Sequence, residues 1–340
     1  MKAYAVIKLG KCGFIDIPDP VLDDYAVIVR TTLAAACTTD VHTAYDGAFG
    51  PDIKNFVLGH EAIGVVEEAG ARVKAVKPGD KVLISTTNHV VRPQGTKQVT
   101  YAAYGNFAER LYVGDADLNV VKQPDWLSDE SALMVTDMVS TAFSAIRDSS
   151  LQYGHSAAVV GIGPLGLSVV AAARIAGAGT VYAVGNRPNT INMAKKFGAD
   201  IVYDYKAVDY VEEILNATNG AGVDRVFITG GDSEILNKGM RICKQYTGVV
   251  TNSCFFLPTD NLTVNAGVWG RGVSGPKLIP SAIQTGAAHT AQVLEAIRRS
   301  GIDFSQLVTH RFDGLENIGA AIELLRKRDR SVIKPICKVS

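Results

Sequence analysis

The 340-residue sequence predicts an α/β chain of two domains, one built on a doubly wound parallel sheet and the other rich in β-strands. Three observations carry this expectation. Strand-like and helix-like segments alternate between about residues 156 and 252, and short β-type runs separated by turn residues fill residues 1 to about 120. A glycine-rich turn within 156–187 joins a β-branched run to an Ala-rich amphipathic one. The expected division gives 1–144 and 280–340 to the β-rich domain and 145–279 to the parallel-sheet domain.

In chain order, the β-type runs are 3–7, 25–33, 62–67, 81–85 and 107–113. Gly64, Gly70 and the turn Pro78-Gly79-Asp80 stand where such strands bend or reverse. A helix begins after Ser128, a suitable N-cap, with Asp129 and Glu130 in the first turn where the helix dipole favours acids. Residues 156–187 read as strand, turn, helix, strand. Helices at 190–197, 210–218 and 233–243 then alternate with strands at 201–204, 225–228 and 249–252. A helix at 290–299, a short strand at 307–310, a helix at 315–326 and a last strand at 333–339 complete the chain, with no internal repeat or low-complexity tract.

Bulk composition narrows the function classes. Apolar residues make up 47% and charged residues 20%, the proportions of an ordinary globular protein. Lys+Arg and Asp+Glu both number 34, so nothing favours a nucleic-acid partner, and small-molecule chemistry fits better. The short apolar run after Lys2 is interrupted by Lys8 before it reaches signal-peptide length, which leads to the expectation of a cytoplasmic protein. The five cysteines, Cys12, Cys37, Cys243, Cys254 and Cys337, show no paired short spacing, against both a disulfide framework and a cysteine-only zinc knuckle. Residues 157–173 carry no charge, yet Gly-x-Gly-Pro would break a spanning helix near its start and Arg174 ends the run, so no membrane segment is expected.

The turn at 161–166 has the form Gly-x-Gly-Pro-Leu-Gly. Gly161, Gly163 and Gly166 supply the tight turn, the close approach of backbone to a pyrophosphate and the close helix-to-strand packing of a dinucleotide-binding (Rossmann) fingerprint. Pro164 and Leu165 open the helix whose N-terminal amides would face the phosphates. Gly230-Gly231 lies just past a strand end, the sheet edge where ligands bind.

A second constellation precedes this turn. Cys37-Thr38-Thr39-Asp40-Val41-His42 ends the apolar run 25–36, and Gly59-His60-Glu61 follows. A Cys and a His in separate loops are a possible zinc pair. Asp137 sits among apolar neighbours in Met134-Val135-Thr136-Asp137-Met138-Val139, where a buried carboxylate must be paired or metal-bound. The residues alone leave two readings open: a ligand, or a side chain that is exposed or held by Thr136 or Thr141.

Gly59-His60-Glu61-Ala62-Ile63-Gly64, then Gly70 and Val73, then Lys77-Pro78-Gly79-Asp80-Lys81-Val82, resembles the signature of zinc-dependent medium-chain alcohol dehydrogenases. The likeness extends over essentially the whole chain and is nearest to bacterial NADP-dependent secondary-alcohol dehydrogenases, through Cys-Thr-x-Asp-x-His, Thr-Asp-Met and Leu307-Val308-Thr309-His310. The resemblance implies a GroES-like catalytic domain beside the Rossmann domain, and a catalytic zinc held by Cys37, His60 and Asp137 with Glu61 as an adjacent or alternating ligand. Relatives with a second, structural zinc carry four close cysteines after the Lys-Pro-Gly-Asp turn. Residues 85–114 contain none, so one zinc is expected.

The implied reaction is reversible hydride transfer between a nicotinamide and the carbinol carbon of a small alcohol. Thr39 and His42 match the family's proton relay, and Thr38 a contact to the nicotinamide ribose; for Thr39 the alternative is a strand-end threonine bonded to its own backbone. NAD-binding versions of the fold place an acid at the end of the second strand, where this chain has Gly185, Asn186 and Arg187. Losing the acid and gaining an Arg suits the 2′-phosphate of NADP(H), with Tyr205 matching a tyrosine packed beside it in relatives; the alternative for Arg187 is a solvated loop residue. Lys334 matches a position that reaches the cofactor. Residues 81–106 should line the substrate pocket, with Ser85, Thr86 and Tyr104 as pocket residues, but this stretch is shorter than in the resembling enzymes. Small secondary alcohols and ketones are the first expectation, then aldehydes, diols or hydroxyketones. By resemblance the chain is a homo-oligomer, a tetramer or a dimer.

Overall fold

A computed structural model describes residues 1–92, 95–100, 105–281 and 286–340. The chain divides into two compact units, Met1–Ser140 with Gln284–Glu295 and Asp303–Ser340, and Thr141–Ile283 with Ala296–Ile302. Among the described residues no helix is long and apolar enough to cross a membrane.

The first unit is organised by a seven-stranded sheet. Its path runs Val120–Lys122, Lys81–Ile84, Ala62–Ala69, Val27–Ala35, Lys334–Lys338, Val308–Asp313, with Arg110–Val113 pairing to Val27–Ala35. Val27, Val29, Ala62, Val66, Val82, Ile84, Leu111 and Val113 share one buried cluster. Each large aliphatic there contributes about 1.5–3 kcal/mol of burial. Gly64 is required by contact: a Cβ would lie 2.2 Å from the Arg30 carbonyl on the neighbouring strand. The expected reversal at Pro78-Gly79-Asp80 is present, with Gly79 at φ +91° and its N–H bonded to Val66 O at 2.8 Å. Short strands Lys11–Asp16 and Phe56–Val57 flank Lys2–Lys8 in a separate three-stranded sheet. Neither was anticipated, since one contains Gly13 and the other is two residues long. The stretch expected to line the substrate pocket contains an antiparallel pair, Thr87–Arg92 with Gly95–Thr100. Tyr104 lies outside the described residues.

The second unit is a six-stranded parallel sheet in the order Ile201–Asp204, Val181–Gly185, Ala157–Val160, Arg225–Ile228, Val249–Asn252, Lys277–Pro280. Every pair is parallel and in register. The strand Ala157–Val160 is buried along its whole length, so its hydrophobicity is that of a central strand. Strand order reverses between it and Arg225–Ile228, which places the turn at 161–163 and Gly230 together at the switch point of the sheet. The edge strand Lys277–Pro280 escaped the sequence analysis because only Leu278 and Ile279 are apolar.

Candidate functional site

Cys37 is the N-cap of a helix, Thr38–Tyr45, that the sequence analysis had not placed. Asp40 explains why a helix starts there. Its carboxylate is 2% exposed and accepts the Cys37 N–H at 2.8 Å, the capping interaction of a first turn. It also accepts the Gly59 N–H at 3.1 Å and lies 3.4 Å from His60 Nδ1, so one side chain fixes the two segments that present Cys37 and His60. Sequence reasoning gave Asp40 no role; its spacing of three from Cys37 was the available signal. Gly59 has φ +93°, and a Cβ there would be 2.4 Å from the Phe107 ring.

Glu61 precedes the strand Ala62–Ala69 and is fully buried. Asp137, 6% exposed, sits on a π-helical turn, Val135–Val139, between the helices Asp129–Met134 and Ser140–Asp148. Such widened turns commonly carry functional groups. The entry to this run is as expected, with Ser128 Oγ accepting the Ser131 N–H at 3.2 Å. One ligand atom from each of Cys37, His60, Glu61 and Asp137 lies within 4.8 Å of the others. His60 Nε2 is 3.5 Å from Asp137 Oδ2 and 3.7 Å from Glu61 Oε1.

The electrostatics suit a cation. Burial alone would lower the pKa of His60, but Asp40 and Asp137 outweigh it and hold the imidazolium well above its ordinary 6.5. Burial pushes Glu61 up to about 7, against the opposing charge of Lys334 and with the Asp137 charge adding to the rise. Glu61 Oε2 is buried without a hydrogen-bond partner, the state of an acceptor lacking its positive partner. Lys334 was expected to reach the cofactor. Its side chain is instead buried, 1% exposed, and donates to Glu61 Oε1. Burial disfavours the Lys334 ammonium, and the charge of Glu61 outweighs that and raises its pKa.

Thr38 is exposed on the first turn after Cys37. Thr39 Oγ1 lies 3.7 Å from Cys37 Sγ, so Thr39 belongs to a helix beside the thiol rather than to a strand end. His42 faces Asp46 one turn on, at 2.7 Å. Ser85 is buried. Thr86 hydrogen-bonds backbone carbonyls of His60 and Thr136.

In the second unit the fingerprint residues converge. Gly161 has φ +98°, and a Cβ on it would meet Gly230 N at 2.9 Å. Gly163 is the N-cap of the helix Pro164–Ile175, with Pro164 at its first position and Leu165 next. A Cβ on Gly166 would lie 1.8 Å from Gly161 O, whereas one on Gly163 or Gly230 meets nothing within 4 Å. The backbone is therefore bare where a ligand would approach and tight where helix meets strand. Gly185 has its own reason: a Cβ would lie 2.1 Å from Ile162 Cγ1, so the strand end has no room for an acid. Asn186 follows, Arg187 caps the helix Pro188–Lys196, and Tyr205 N–H reaches Gly185 O at 3.4 Å, bringing the three positions of the expected phosphate pocket to one edge.

His289, His310 and Trp269 have ordinary partners. His289 bonds Ser140 O at 2.8 Å, His310 bonds Thr309 at 3.0 Å, and Trp269 donates to Pro276 O at 2.9 Å. Cys254 is half-buried, its thiol raised by burial to about 11, which makes it a poor nucleophile.

A thiol, an imidazole and carboxylates gathered in one unit, with a dinucleotide turn in the other, define a metal-dependent dehydrogenase. Residues 164–268 match the zinc-binding dehydrogenase family and 23–125 the alcohol dehydrogenase GroES-like domain. The chain is 35% identical to the NADP-dependent isopropanol dehydrogenase of Clostridium beijerinckii over 99% of both chains, and 33% identical to that of Thermoanaerobacter brockii, again over 99% of both. It superposes on zinc-dependent alcohol dehydrogenase 2 of Streptococcus pneumoniae with a TM-score of 0.85 at 27% identity, covering 100% of this chain and 99% of that one. The chain belongs to the zinc-binding alcohol dehydrogenase family and is an oxidoreductase.

Proposed function

We propose that this enzyme uses NADP(H) and one zinc ion to interconvert small secondary alcohols and ketones. The observation that carries the metal half is the convergence of Cys37, His60, Glu61 and Asp137 with Glu61 Oε2 left buried and unpartnered. A soft thiolate beside an imidazole and carboxylates is a donor set that suits zinc. Cys37, His60 and Asp137 would hold the ion, with Glu61 as the adjacent or alternating ligand. Zinc so bound supplies a Lewis acid that lowers an alcohol's pKa and polarises a carbonyl.

The protein's own residues do the rest. Asp40 orients His60 by accepting from its ring, which favours one tautomer and raises its basicity. Thr39, beside Cys37, takes the substrate's hydroxyl proton, and His42 passes it toward solvent with Asp46 stabilising the charged ring. Gly161, Gly163 and Gly166, with the amides after Pro164, hold the pyrophosphate, and Gly230 leaves the facing side open. Arg187 and Tyr205 flank the 2′-phosphate, Asn186 borders it, and Gly185 excludes the acid that would repel it. Thr38 contacts the nicotinamide ribose. The isopropanol dehydrogenases of Clostridium and Thermoanaerobacter support this substrate class and cofactor. By the same resemblance the chain assembles as a homo-oligomer, a tetramer or a dimer.

The test is NADPH oxidation across small ketones, aldehydes, diketones and hydroxyketones, with metal content measured on the same sample. Stoichiometric zinc and turnover of small ketones are expected. Turnover only of diols or amino alcohols would move the enzyme to another substrate class. Protein without zinc and without turnover of any carbonyl would overturn the proposal.

A further inference from the structure

The ligand set comes from separate stretches of chain, and each must be held in register before a metal arrives. Asp40 ties Cys37 to His60 through the Cys37 and Gly59 amides. Asp137 enters from elsewhere, on the turn Val135–Val139, where the helical ladder is widened and backbone carbonyls need other partners. Ser140 Oγ donates to Val135 O at 2.6 Å, Thr136 Oγ1 to Leu133 O at 2.7 Å, and His289 pins Ser140 O at 2.8 Å. These bonds tie the turn to its own helical run and to the helix Ala287–Ser300. None of them reaches a segment that carries Cys37 or His60.

Thr86 does. Its Oγ1 lies 2.7 Å from His60 O and 3.1 Å from Thr136 O, positions 26 and 50 residues away in the chain. A hydroxyl has one proton, so the two carbonyls share it, with His60 O the nearer. One accepting carbonyl belongs to a ligand residue and the other to the residue before Asp137. Thr86 follows the strand Lys81–Ile84, whose register with Ala62–Ala69 is set by Ile63↔Leu83 and Gly64↔Val82. Thr86 lies two residues past the end of that strand, which anchors the segment that carries the hydroxyl. We propose that Thr86 is a positioning residue that holds His60 and Asp137 at the separation the metal requires, by sharing one proton between the backbones of the two ligand segments. The assignment rests on the zinc reading above and adds to it a residue that acts through the backbones of two ligand segments.

The experiment compares the zinc-loaded wild-type enzyme with Thr86→Val, which keeps the shape and removes the hydroxyl, and Thr86→Ser, which keeps the hydroxyl. Zinc release into excess chelator is followed, and the visible spectrum of each cobalt-loaded protein reports ligand geometry. Thr86→Val should release zinc about 10- to 100-fold faster, the usual cost of losing a residue that orients metal ligands, and should show altered cobalt bands. Thr86→Ser should restore both, and NADPH affinity should be unchanged in all three. If Thr86→Val does not fold, Thr86→Ala carries the same comparison. Wild-type release and an unaltered cobalt spectrum in the hydroxyl-free variant would overturn the assignment, as would a Thr86→Ser protein that behaves like Thr86→Val. A wild-type enzyme that cannot retain zinc would overturn the metal reading itself.

Discussion

The two units solve the problem of placing a small charged ligand in opposite ways. As proposed, the second unit does it with backbone: the turn at 161–166 is one contiguous piece of chain, and the working parts are missing side chains, at Gly161, Gly163 and Gly166 in the turn and at Gly185 on the strand that follows the helix. As proposed, the first does it with ionisable side chains gathered from positions as far apart as 37, 60, 61, 137 and 334, of which Glu61, Asp137 and Lys334 are buried and Cys37 and His60 half-buried. A backbone site is cheap to desolvate and tolerant of an empty state. A side-chain site carries charges that must be balanced at every moment, by the metal, by Asp40 or by Lys334. Removing one group should therefore be far more damaging in the first unit than in the second.

The largest effect is expected at Asp137. Asp137→Ala should abolish zinc retention and with it activity, while NADPH affinity, measured by the change in its fluorescence on binding, stays near the wild-type value. Full activity in that variant would remove Asp137 from the ligand set and break the contrast between the units. Next comes Lys334→Met. Glu61 would be left as a buried carboxylate without its cation, which costs about 3–5 kcal/mol when one member of a buried pair is removed. Urea unfolding should show that loss, and adding Glu61→Gln should recover much of it; a stable single variant would mean that the pair is not balancing charge. A smaller and more selective loss is expected in the second unit. Arg187→Ala should weaken NADPH by about 1.5–3 kcal/mol, the range for a charge-assisted hydrogen bond, with NADH nearly unaffected. Equal losses for both cofactors would count against a contact to the 2′-phosphate.

The same contrast governs what could be read before the structure was in hand. The parallel sheet was legible because its signals are local: the strands at 201–204, 225–228 and 249–252 end where the structure ends them. Glycines in a turn declare a backbone requirement by their own chemistry. The candidate metal centre was legible only as a list of suitable side chains, completed by resemblance, because nothing in a linear sequence says that the ligand atoms of positions 37 and 137 lie within 4.8 Å of each other. What stayed hidden was what depends on packing across segments. Asp40 was visible but could not be linked to Gly59 and His60. The partnership of Lys334 with Glu61 stayed hidden, because it depends on the pairing of Lys334–Lys338 with Val27–Ala35 inside the sheet. The link that Thr86 makes between His60 O and Thr136 O was hidden for the same reason. Gly185 was read as a missing acid, whereas the structure adds the cause, Ile162 already filling the space.

The smallest effect concerns the opposite end of the parallel sheet from the dinucleotide turn, and it tests whether the second unit's frame also depends on charge. Burial would raise the pKa of Asp224, but bonds from Lys244 Nζ at 2.7 Å, Ser156 N–H at 2.9 Å and Ser156 Oγ at 2.8 Å overcome this and lower it from 3.8 to about 2. A carboxylate whose folded pKa is depressed stabilises the protein fully above its unfolded value, and that contribution is lost as pH falls through the folded one. The interval from 3.8 to about 2 corresponds to at most about 2 kcal/mol, reduced by solvent screening at this partly exposed site. Stability measured by urea titration should therefore fall as pH drops below about 4, and Asp224→Asn should flatten that part of the curve while lowering stability at neutral pH. Glu61 in the first unit is pushed the other way, to about 7, because there burial, with the Asp137 charge added, outweighs Lys334 and His60, which oppose it. Asp224 has an amide, a hydroxyl and an ammonium and is only partly buried, so hydrogen bonding wins. An acid limb unchanged by Asp224→Asn would mean that this cluster merely fills its surroundings, and that the second unit is held by its apolar strands alone.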